Sequence, residues 1–301
     1  MYHIPGCPLL VHVDADAPKS RSPRKSGDLR SAVDEEGIVT VISVPQAFNE
    51  EELFVDLRSI FGHSLFLKCE GFNFAGSIKV KAATEMVEAA DRDGVLTPHS
   101  ILVESSSGNL GVALSMIAAS KGYRFLCVTD SRCNLSTRLL MEALGSEVHV
   151  VSDPDGAGGF LGARLDYVRA LCASDDRYVW LNQYTNQGNW RAHYRTTAPA
   201  IARQFPQLDM LFVGAGTTGT LMGCARYFKR WHRPVRIVAV DSFGSVIFGG
   251  SPGRRGRGPS RASRPCRCRT RRRPGPLRGQ RLCPSGGRQP AGNAESRRRF
   301  I

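Results

Sequence analysis

The sequence has no long apolar run: no stretch approaches the roughly 18 residues that a membrane-spanning helix needs. The first residues have neither the charged start nor the apolar core of an export signal. None of the six cysteines before residue 250 forms a CxxC pair or a His-spaced metal set. These absences predict a reduced, cytoplasmic protein that binds no metal and no membrane.

Lysine is absent from residues 251–301, and the only acid there is Glu295. The same segment holds 16 Arg, so its net charge is +15, whereas the net charge of the whole chain is +14. The remaining chain is therefore close to neutral, at −1. At 301 residues and 42% hydrophobic composition, the chain can form one large or two ordinary domains.

The arginine-rich segment 251–301 shows no helical or strand periodicity, and its only aromatic residue is Phe300. Such a composition predicts disorder. Clustered arginines can bind nucleic-acid phosphates, which is one interpretation. The absence of lysine, the absence of interleaved aromatics and the abrupt change after Gly250 favour a second: a shifted reading frame, with no functional nucleic-acid binding.

Between residues 38 and 240, short β-branched runs alternate with helical segments, after an irregular segment 1–37. Alternation of this kind predicts an α/β fold with parallel-rich sheets and helices on both faces. The predicted strands are 38–44, 65–68, 101–103, 123–129, 147–151, 178–181, 210–213 and 235–240, and the predicted helices are 50–60, 78–91, 110–120, 136–144, 160–173, 193–204 and 221–230. We expect an N-terminal lobe at 38–190 and a partial second lobe at 191–250.

Ligands of such folds bind beyond the carboxyl ends of strands, and three loops there are unusual. The first loop, Gly76–Lys79, places Lys79 near the first turn of a helix. The helix dipole there favours the neutral, nucleophilic amine that a Schiff base requires. A surface lysine with its ammonium in water is the alternative. In the second, Glu104–Asn109 offers three hydroxyls at a helix start, which suit a carboxylate or phosphate, or simply cap the helix.

The third loop, Gly214–Thr220, is a glycine-rich turn between a strand and a helix, and it suits a phosphate. It also satisfies G-x-G-x-x-G, with Asp241 ending the next strand, which is the pattern of a dinucleotide-binding oxidoreductase. A Schiff-base lysine, a carboxylate loop and a phosphate loop together are what pyridoxal phosphate and an amino acid require. A nicotinamide enzyme needs neither of the first two loops.

Several segments resemble the signatures of one enzyme family. They are Asn73–Lys79, Ser106–Asn109, Asn182–Asn186, His193–Thr197 and Gly216–Thr220. They are similar to those of the cysteine synthase and cystathionine β-synthase family, which are fold-type II pyridoxal-phosphate enzymes. The segments ESSSGNLGVALSMIA and FNFAGSIK look most similar to the branch that makes N-(2-amino-2-carboxyethyl)-L-glutamate, a precursor of 2,3-diaminopropionate in siderophore and antibiotic pathways.

The resemblance implies a role for each matching residue. Lys79 forms the internal aldimine and shuttles the Cα proton, and Asn109 hydrogen-bonds the ring oxygen of the cofactor. The substrate carboxylate is expected to be bound by Ser106, Ser107, Asn109 and Gln183. The cofactor phosphate is expected to be bound by Gly216, Thr217, Thr218, Gly219 and Thr220. The resemblance also implies a homodimer acting on small amino acids.

The implied reaction is β-replacement on an activated L-serine, expected to be O-phospho-L-serine, with L-glutamate as the amine nucleophile. A cysteine synthase that uses sulfide is the alternative, followed by the nicotinamide oxidoreductase. The family continues beyond the strand that ends near Val240, where this sequence turns into the arginine-rich segment. We therefore expect an incomplete second lobe and an impaired enzyme.

Overall fold

The computed structural model describes residues 9–13, 44–48, 52–156, 159–242, 245 and 247–248, the first of these ranges by its backbone alone. Within those ranges, no helix is both long enough and apolar enough to span a lipid bilayer. The arginine-rich segment 251–301 and the strand predicted at 38–43 lie outside the described residues, so both stay predictions.

A four-stranded sheet is parallel throughout, in the order β6-β5-β4-β7. Its strands are β4 (Ile101–Ser105), β5 (Arg124–Asp130), β6 (Glu147–Val151) and β7 (Tyr178–Trp180). Every residue of β4 is buried, because apolar cores cover both of its faces. The parallel sheet predicted from the uninterrupted apolar runs is confirmed here.

A five-stranded sheet has the order β2-β3-β1-β8-β9 and mixed directions. Its strands are β1 (Leu9–Val13), β2 (Phe54–Asp56), β3 (Leu65–Lys68), β8 (Leu208–Gly214) and β9 (Arg236–Val240). Only β8 and β9 pair in parallel, whereas β1 runs antiparallel to both β3 and β8. The sheet takes strands from both sides of residue 190, where the sequence predicts a lobe boundary.

The structure corrects two sequence predictions in this sheet. Segment 1–37 is not irregular throughout, because β1 supplies the central strand. The helix predicted over 50–60 is wrong: residues Phe54–Asp56 form β2, and only Arg58–Phe61 is helical. Phe54 belongs to a strand because its ring packs edge-on against Phe205, with the ring centroids 5.1 Å apart, and its backbone pairs with β3. These contacts are distant in sequence.

The helices agree with the predicted ones from residue 78 onward. The helices of the described residues are α1 (Arg58–Phe61), α2 (Lys79–Arg92), α3 (Asn109–Lys121), α4 (Leu135–Ala143), α5 (Phe160–Ser174), α6 (Gly188–Arg195), α7 (Thr197–Gln204) and α8 (Gly219–Arg230), with a 3₁₀ turn at Pro45–Ala47. The helix predicted over 193–204 is two helices. They are separated at Thr196, whose φ of −121° and ψ of −67° interrupt the helical geometry.

Helices α6 and α8 pack closely because α8 presents two glycines one turn apart. A Cβ added at Gly219 would lie 2.7 Å from the backbone oxygen of Asn189, and one at Gly223 would lie 2.6 Å from the Cβ of His193. Real Cβ atoms do not approach this closely, so only glycine permits this separation of the helices. The packing places Asn189 and His193 against the turn that precedes α8.

Candidate active site

Lys79 and the glycine-rich turn line the same cavity. Lys79 is the first residue of α2, and the turn Gly214–Thr220 joins β8 to α8. Together with Ile78 and Val213 they enclose about 180 Å³. The Nζ of Lys79 donates a hydrogen bond to the Oγ1 of Thr217 at 3.3 Å. The structure thus brings together the first and third predicted loops, which are more than a hundred residues apart.

The turn has the geometry of an anion site. Thr218 adopts the left-handed conformation, with a φ of +64°, and is the N-cap residue of α8. Gly219 and Thr220 open the twelve-residue helix, so their backbone N–H groups have no acceptor within the helix. Hydroxyls from Thr217, Thr218 and Thr220 and the positive end of the helix dipole surround this end of the cavity. The donor set fits a phosphate group.

Asn189 is a site residue that the sequence analysis missed. Its Nδ2 donates to the Oγ1 of Thr217 at 2.9 Å and to the backbone oxygen of Gln183 at 2.8 Å. The side chain is buried, since the residue is only 5% exposed. The available signal was the four-residue spacing of Asn189 and His193 on one helix, matched by that of Gly219 and Gly223 on its partner.

His193 bridges two threonines in the interior beside the turn. Its Nδ1 lies 3.1 Å from the Oγ1 of Thr197, and its Nε2 lies 3.2 Å from the Oγ1 of Thr220. Burial, together with the positive charges of Lys81 and Lys79, lowers the pKa of His193 to about 3. The imidazole is therefore neutral at physiological pH, so it can donate at one nitrogen and accept at the other.

Lys81 favours one direction for these hydrogen bonds, because an ammonium only donates and Thr197, once it accepts from Lys81, still has its own hydrogen to donate. Lys81 Nζ donates to the Oγ1 of Thr197 at 3.3 Å and also pairs with the buried carboxylate of Glu70. Thr197 can then donate its own hydrogen to Nδ1 of His193. The proton of His193 lies on Nε2 in this arrangement, and Nε2 donates to Thr220. The hydroxyl hydrogen of Thr220 is left to face an anion in the cavity.

The predicted carboxylate loop joins β4 to the N-terminus of α3. Asn109 is the first residue of α3, Ser107 is exposed, and Ser106 is buried. The Oγ of Ser106 accepts a hydrogen bond from the backbone N–H of Gly111 at 3.0 Å, so it caps the first turn of the helix. Because Ser107 and Asn109 lie at the dipole's positive end, a carboxylate ligand is stabilised there.

Glu104 connects this loop to Gln183. Its Oε1 accepts from the backbone N–H of Ser105 at 2.8 Å, and its Oε2 accepts from the backbone N–H of Gln183 at 3.0 Å. The side chain of Gln183 donates to the backbone oxygen of Ser105 at 2.9 Å. Burial raises the pKa of Glu104 to about 7, against the opposing effect of these donors. Glu104 was not among the predicted site residues.

Arg164, on α5, is buried beside the same strand ends. Its Nε lies 3.4 Å from the Oδ2 of Asp130, the last residue of β5, and makes no hydrogen bond with any described residue. Its charge also acts on Glu104 and on Tyr184, two residues before Asn186 in the predicted motif. Burial raises the pKa of Tyr184 although its residue is 45% exposed. A second cationic group therefore lies near the predicted carboxylate loop.

The predicted site residues fall into two groups. Lys79 lines the cavity together with the turn residues Gly216, Thr217, Thr218, Gly219 and Thr220. Ser106, Ser107, Asn109 and Gln183 are outside the lining of that cavity as far as the structure describes it. Hydrogen bonds that Asn189 donates to the backbone oxygen of Gln183 and to the hydroxyl of Thr217 connect the groups. The roles that the resemblance gives to these residues stay predictions.

A lysine beside an anion-binding turn suits an enzyme whose cofactor carries both an aldehyde and a phosphate. The model of the pyridoxal-phosphate dependent enzyme family matches residues 54–285, more than half of the chain. The chain belongs to this family, whose cofactor is pyridoxal phosphate. The match begins at β2 and extends past Gly250 into the arginine-rich segment.

Solved structures of two similar proteins agree with this assignment. A hydrogen sulfide-producing enzyme from Fusobacterium nucleatum is 31% identical, with a TM-score of 0.56, and the match covers 62% of this chain and 60% of that one. O-ureido-L-serine synthase is 30% identical, with a TM-score of 0.63, and the match covers 69% of this chain and 66% of that one. The match thus spans 60% of the length of the first protein and about two thirds of the length of the second.

A third structure supports the fold alone. An O-acetylserine dependent cystathionine β-synthase from Helicobacter pylori is 24% identical, with a TM-score of 0.62 and coverage of 71% of each chain. The residues present fit pyridoxal phosphate: Lys79 can bind its aldehyde while the turn before α8 binds its phosphate. The dinucleotide interpretation of Gly214–Thr220 is therefore set aside in favour of the family's cofactor.

Proposed function

We propose that the protein catalyses β-replacement on an activated L-serine, as a member of the branch that makes N-(2-amino-2-carboxyethyl)-L-glutamate. The substrate is O-phospho-L-serine, and the amine of L-glutamate replaces its phosphate at Cβ. The proposal depends chiefly on one observation: Lys79 lies in one cavity with an anion-binding turn, 3.3 Å from Thr217. The relative named as O-ureido-L-serine synthase supports a serine-type amino acid in this family.

Each side chain has a task in this proposal. Ser107 and Asn109, at the start of α3, bind the substrate carboxylate, together with Ser106 and Gln183. The cofactor supplies an electron sink for the negative charge that develops at Cα. Lys79 takes the proton from Cα and holds it at Nζ, and a positioned base of this kind contributes about 10²- to 10⁴-fold in rate.

The surroundings of Arg164 favour an anionic leaving group. Its guanidinium is buried and pairs with the carboxylate of Asp130, 3.4 Å from its Nε, and its positive charge acts on Tyr184. A buried arginine keeps its positive charge, which stabilises a phosphate or carboxylate brought near it. An acetyl group is neutral and gains little from this arginine. The arrangement therefore supports O-phospho-L-serine over O-acetyl-L-serine.

A cysteine synthase reaction with sulfide is the second candidate. It is favoured by the similarity to the hydrogen sulfide-producing enzyme from Fusobacterium nucleatum. Both candidates share the cofactor, the amino-acid substrate and the role of Lys79, and they differ only in the nucleophile. Competition between L-glutamate and sulfide for one serine substrate distinguishes them, because the N-alkylated glutamate and cysteine are separated by mass.

The cofactor assignment is tested by covalent labelling. The chain is incubated with pyridoxal phosphate, reduced with borohydride and digested, and the modified peptide is identified by mass spectrometry. We expect the label on Lys79 and its loss in Lys79→Ala. Lys121→Ala is the control, since that amine lies at the surface near Asp91. A label on another lysine, or none on the wild-type chain, contradicts the proposal.

A further inference from the structure

Asn189 connects the two groups of site residues with a single amide nitrogen. Nδ2 of an asparagine carries two hydrogens, and both are used here. One is donated to the backbone oxygen of Gln183 at 2.8 Å and the other to the Oγ1 of Thr217 at 2.9 Å. Because the side chain is buried, water does not replace either bond at low cost.

The hydroxyl of Thr217 receives two hydrogen bonds, one from Asn189 and one from Nζ of Lys79 at 3.3 Å. A hydroxyl oxygen has two lone pairs, so both of its acceptor positions are occupied here, and Asn189 keeps one of them occupied when Lys79 binds the cofactor aldehyde instead. The remaining function of the hydroxyl is to donate its own hydrogen. Thr217 lines the cavity, so that hydrogen is available to an anion bound there.

The position of Asn189 is fixed by the helix packing. Gly219 lies directly against the Asn189 side chain and backbone, where any larger residue would displace it. The backbone of Gln183, in turn, is held to Glu104 by a hydrogen bond of 3.0 Å. The amide therefore cannot rotate away without breaking two bonds and separating α6 from α8.

We infer that Asn189 is a positioning residue, which holds the Thr217 hydroxyl as a donor toward the cofactor phosphate and joins it to the substrate side through Gln183. This inference rests on the proposed function, because it takes the cavity to hold the phosphate of pyridoxal phosphate. Asn189 contacts neither the substrate nor the cofactor in this assignment. Its effect on binding passes through Thr217.

The experiment is a double-mutant cycle of Asn189→Asp and Thr217→Val. Affinities of the unreduced proteins for pyridoxal phosphate and for pyridoxal, which lacks the phosphate, are measured by fluorescence titration. The aspartate has the same shape but no amide donor, and the neutral Asn189→Leu is carried through the same cycle because a carboxylate would itself repel the phosphate. We expect Asn189→Asp to weaken the binding of pyridoxal phosphate by about 10- to 100-fold and the binding of pyridoxal by less than about threefold. In the Thr217→Val protein, Asn189→Asp should change the affinity by less than about threefold.

Asn186→Asp is the matched control, because its amide also donates to a backbone oxygen, that of Leu181 at 2.8 Å, away from the turn. It should lower stability without the phosphate-dependent loss. Full losses by Asn189→Asp in both backgrounds, or equal losses for pyridoxal and its phosphate, overturn the inference. If Asn189→Asp does not fold, Asn189→Ala completes the cycle.

The borohydride label of the wild-type chain distinguishes a failure of the role given to Asn189 from a failure of the proposed function. A label on Lys79 together with an additive cycle contradicts only the role of Asn189. A wild-type chain that binds neither pyridoxal phosphate nor inorganic phosphate contradicts both the role of Asn189 and the proposed function. Both affinities are measured on the same protein preparations, so a failed preparation is recognised by its unfolding curve.

Discussion

Glu104 Oε2 accepts a hydrogen bond from the backbone N–H of Gln183 at 3.0 Å, across 79 residues of sequence. The same carboxylate accepts from Ser105, so one buried acid joins the carboxylate loop to the motif that follows β7. Because Glu104 lies between these segments, a change in its protonation affects the hydrogen bonds of both.

Glu104 should make the protein less stable as the pH rises. Burial raises the pKa of its carboxyl from 4.5 to about 7, so the folded state binds more protons than the unfolded state between these values. Stability from this group is complete below pH 4.5 and is lost as the pH rises through about 7. Denaturant unfolding at several pH values measures this slope.

Glu104→Gln should flatten the slope and destabilise the fold at low pH. An amide has a single acceptor oxygen, so either Ser105 or Gln183 loses its partner, at a cost of about 1–3 kcal/mol. Glu88→Gln is the control, because Glu88 is exposed on α2. If Glu104→Gln and wild type keep the same slope, Glu104 does not titrate in this range.

His193 should have the opposite dependence. Its pKa is lowered from 6.5 to about 3, so the unfolded state binds more protons between these values. Stability from this group is present above pH 6.5 and is lost as the pH falls. Nitrogen-15 NMR should show a neutral ring with its proton on Nε2, because Thr197, which accepts from Lys81, has its own hydrogen to donate to Nδ1.

His193→Gln should remove the acid sensitivity, while His99→Gln, at an exposed position, should leave it unchanged. A proton on Nδ1 instead would mean that Thr197 accepts from both neighbours. Thr220 would then donate to the imidazole rather than to an anion in the cavity. The NMR experiment therefore tests the orientation of the phosphate site as well as the pKa.

Much of the four-stranded sheet was predictable because its signal is local. The β-branched runs at Ile101–Ser105 and Glu147–Val151 are short and bounded by turns, and α3 between them is apolar along most of its length. The loops that hold Lys79 and Thr217 were predictable for the same reason, since a strand, a polar turn and a helix follow one another in sequence.

The missed features depend on contacts that are distant in sequence. Strand β1 has five residues, and pairing with β3 and β8 is what makes it a strand. Phe54 was assigned to a helix although Phe205 packs against it from 151 positions away. Asn189 resembles a surface polar residue in sequence, and only the close approach of α6 to α8 reveals its role.

Gly223→Ala tests this close approach. The added Cβ would lie 2.6 Å from the Cβ of His193 and 2.6 Å from the backbone oxygen of Trp190. Forcing the helices apart should cost about 1–3 kcal/mol in stability, more than the roughly 1 kcal/mol that alanine gains in a helix. Gly156→Ala is the control, since a Cβ there meets nothing within 4 Å. Equal stability of the two variants would show that α8 can shift freely.

Arg164→Met tests the leaving group of the proposed reaction. The change keeps the apolar stem and removes the charge, and Asp130 retains the backbone N–H of Arg132 as a donor at 2.9 Å. We expect kcat/KM for O-phospho-L-serine to fall by more than about tenfold, because the positive charge proposed to attract the phosphate is lost. For O-acetyl-L-serine the change should stay within about threefold.

Arg132→Met is the matched control, because Arg132 also pairs with Asp130, at 3.3 Å, while its own side chain is 64% exposed. It should leave the ratio of the two kcat/KM values unchanged. Equal losses for both substrates in Arg164→Met would mean that the guanidinium supports the fold through Asp130 and does not recognise the leaving group. If Arg164→Met and Arg132→Met change the two kcat/KM values in the same way, the effect comes from the lost pairing with Asp130. Arg164 would then no longer support O-phospho-L-serine as the substrate.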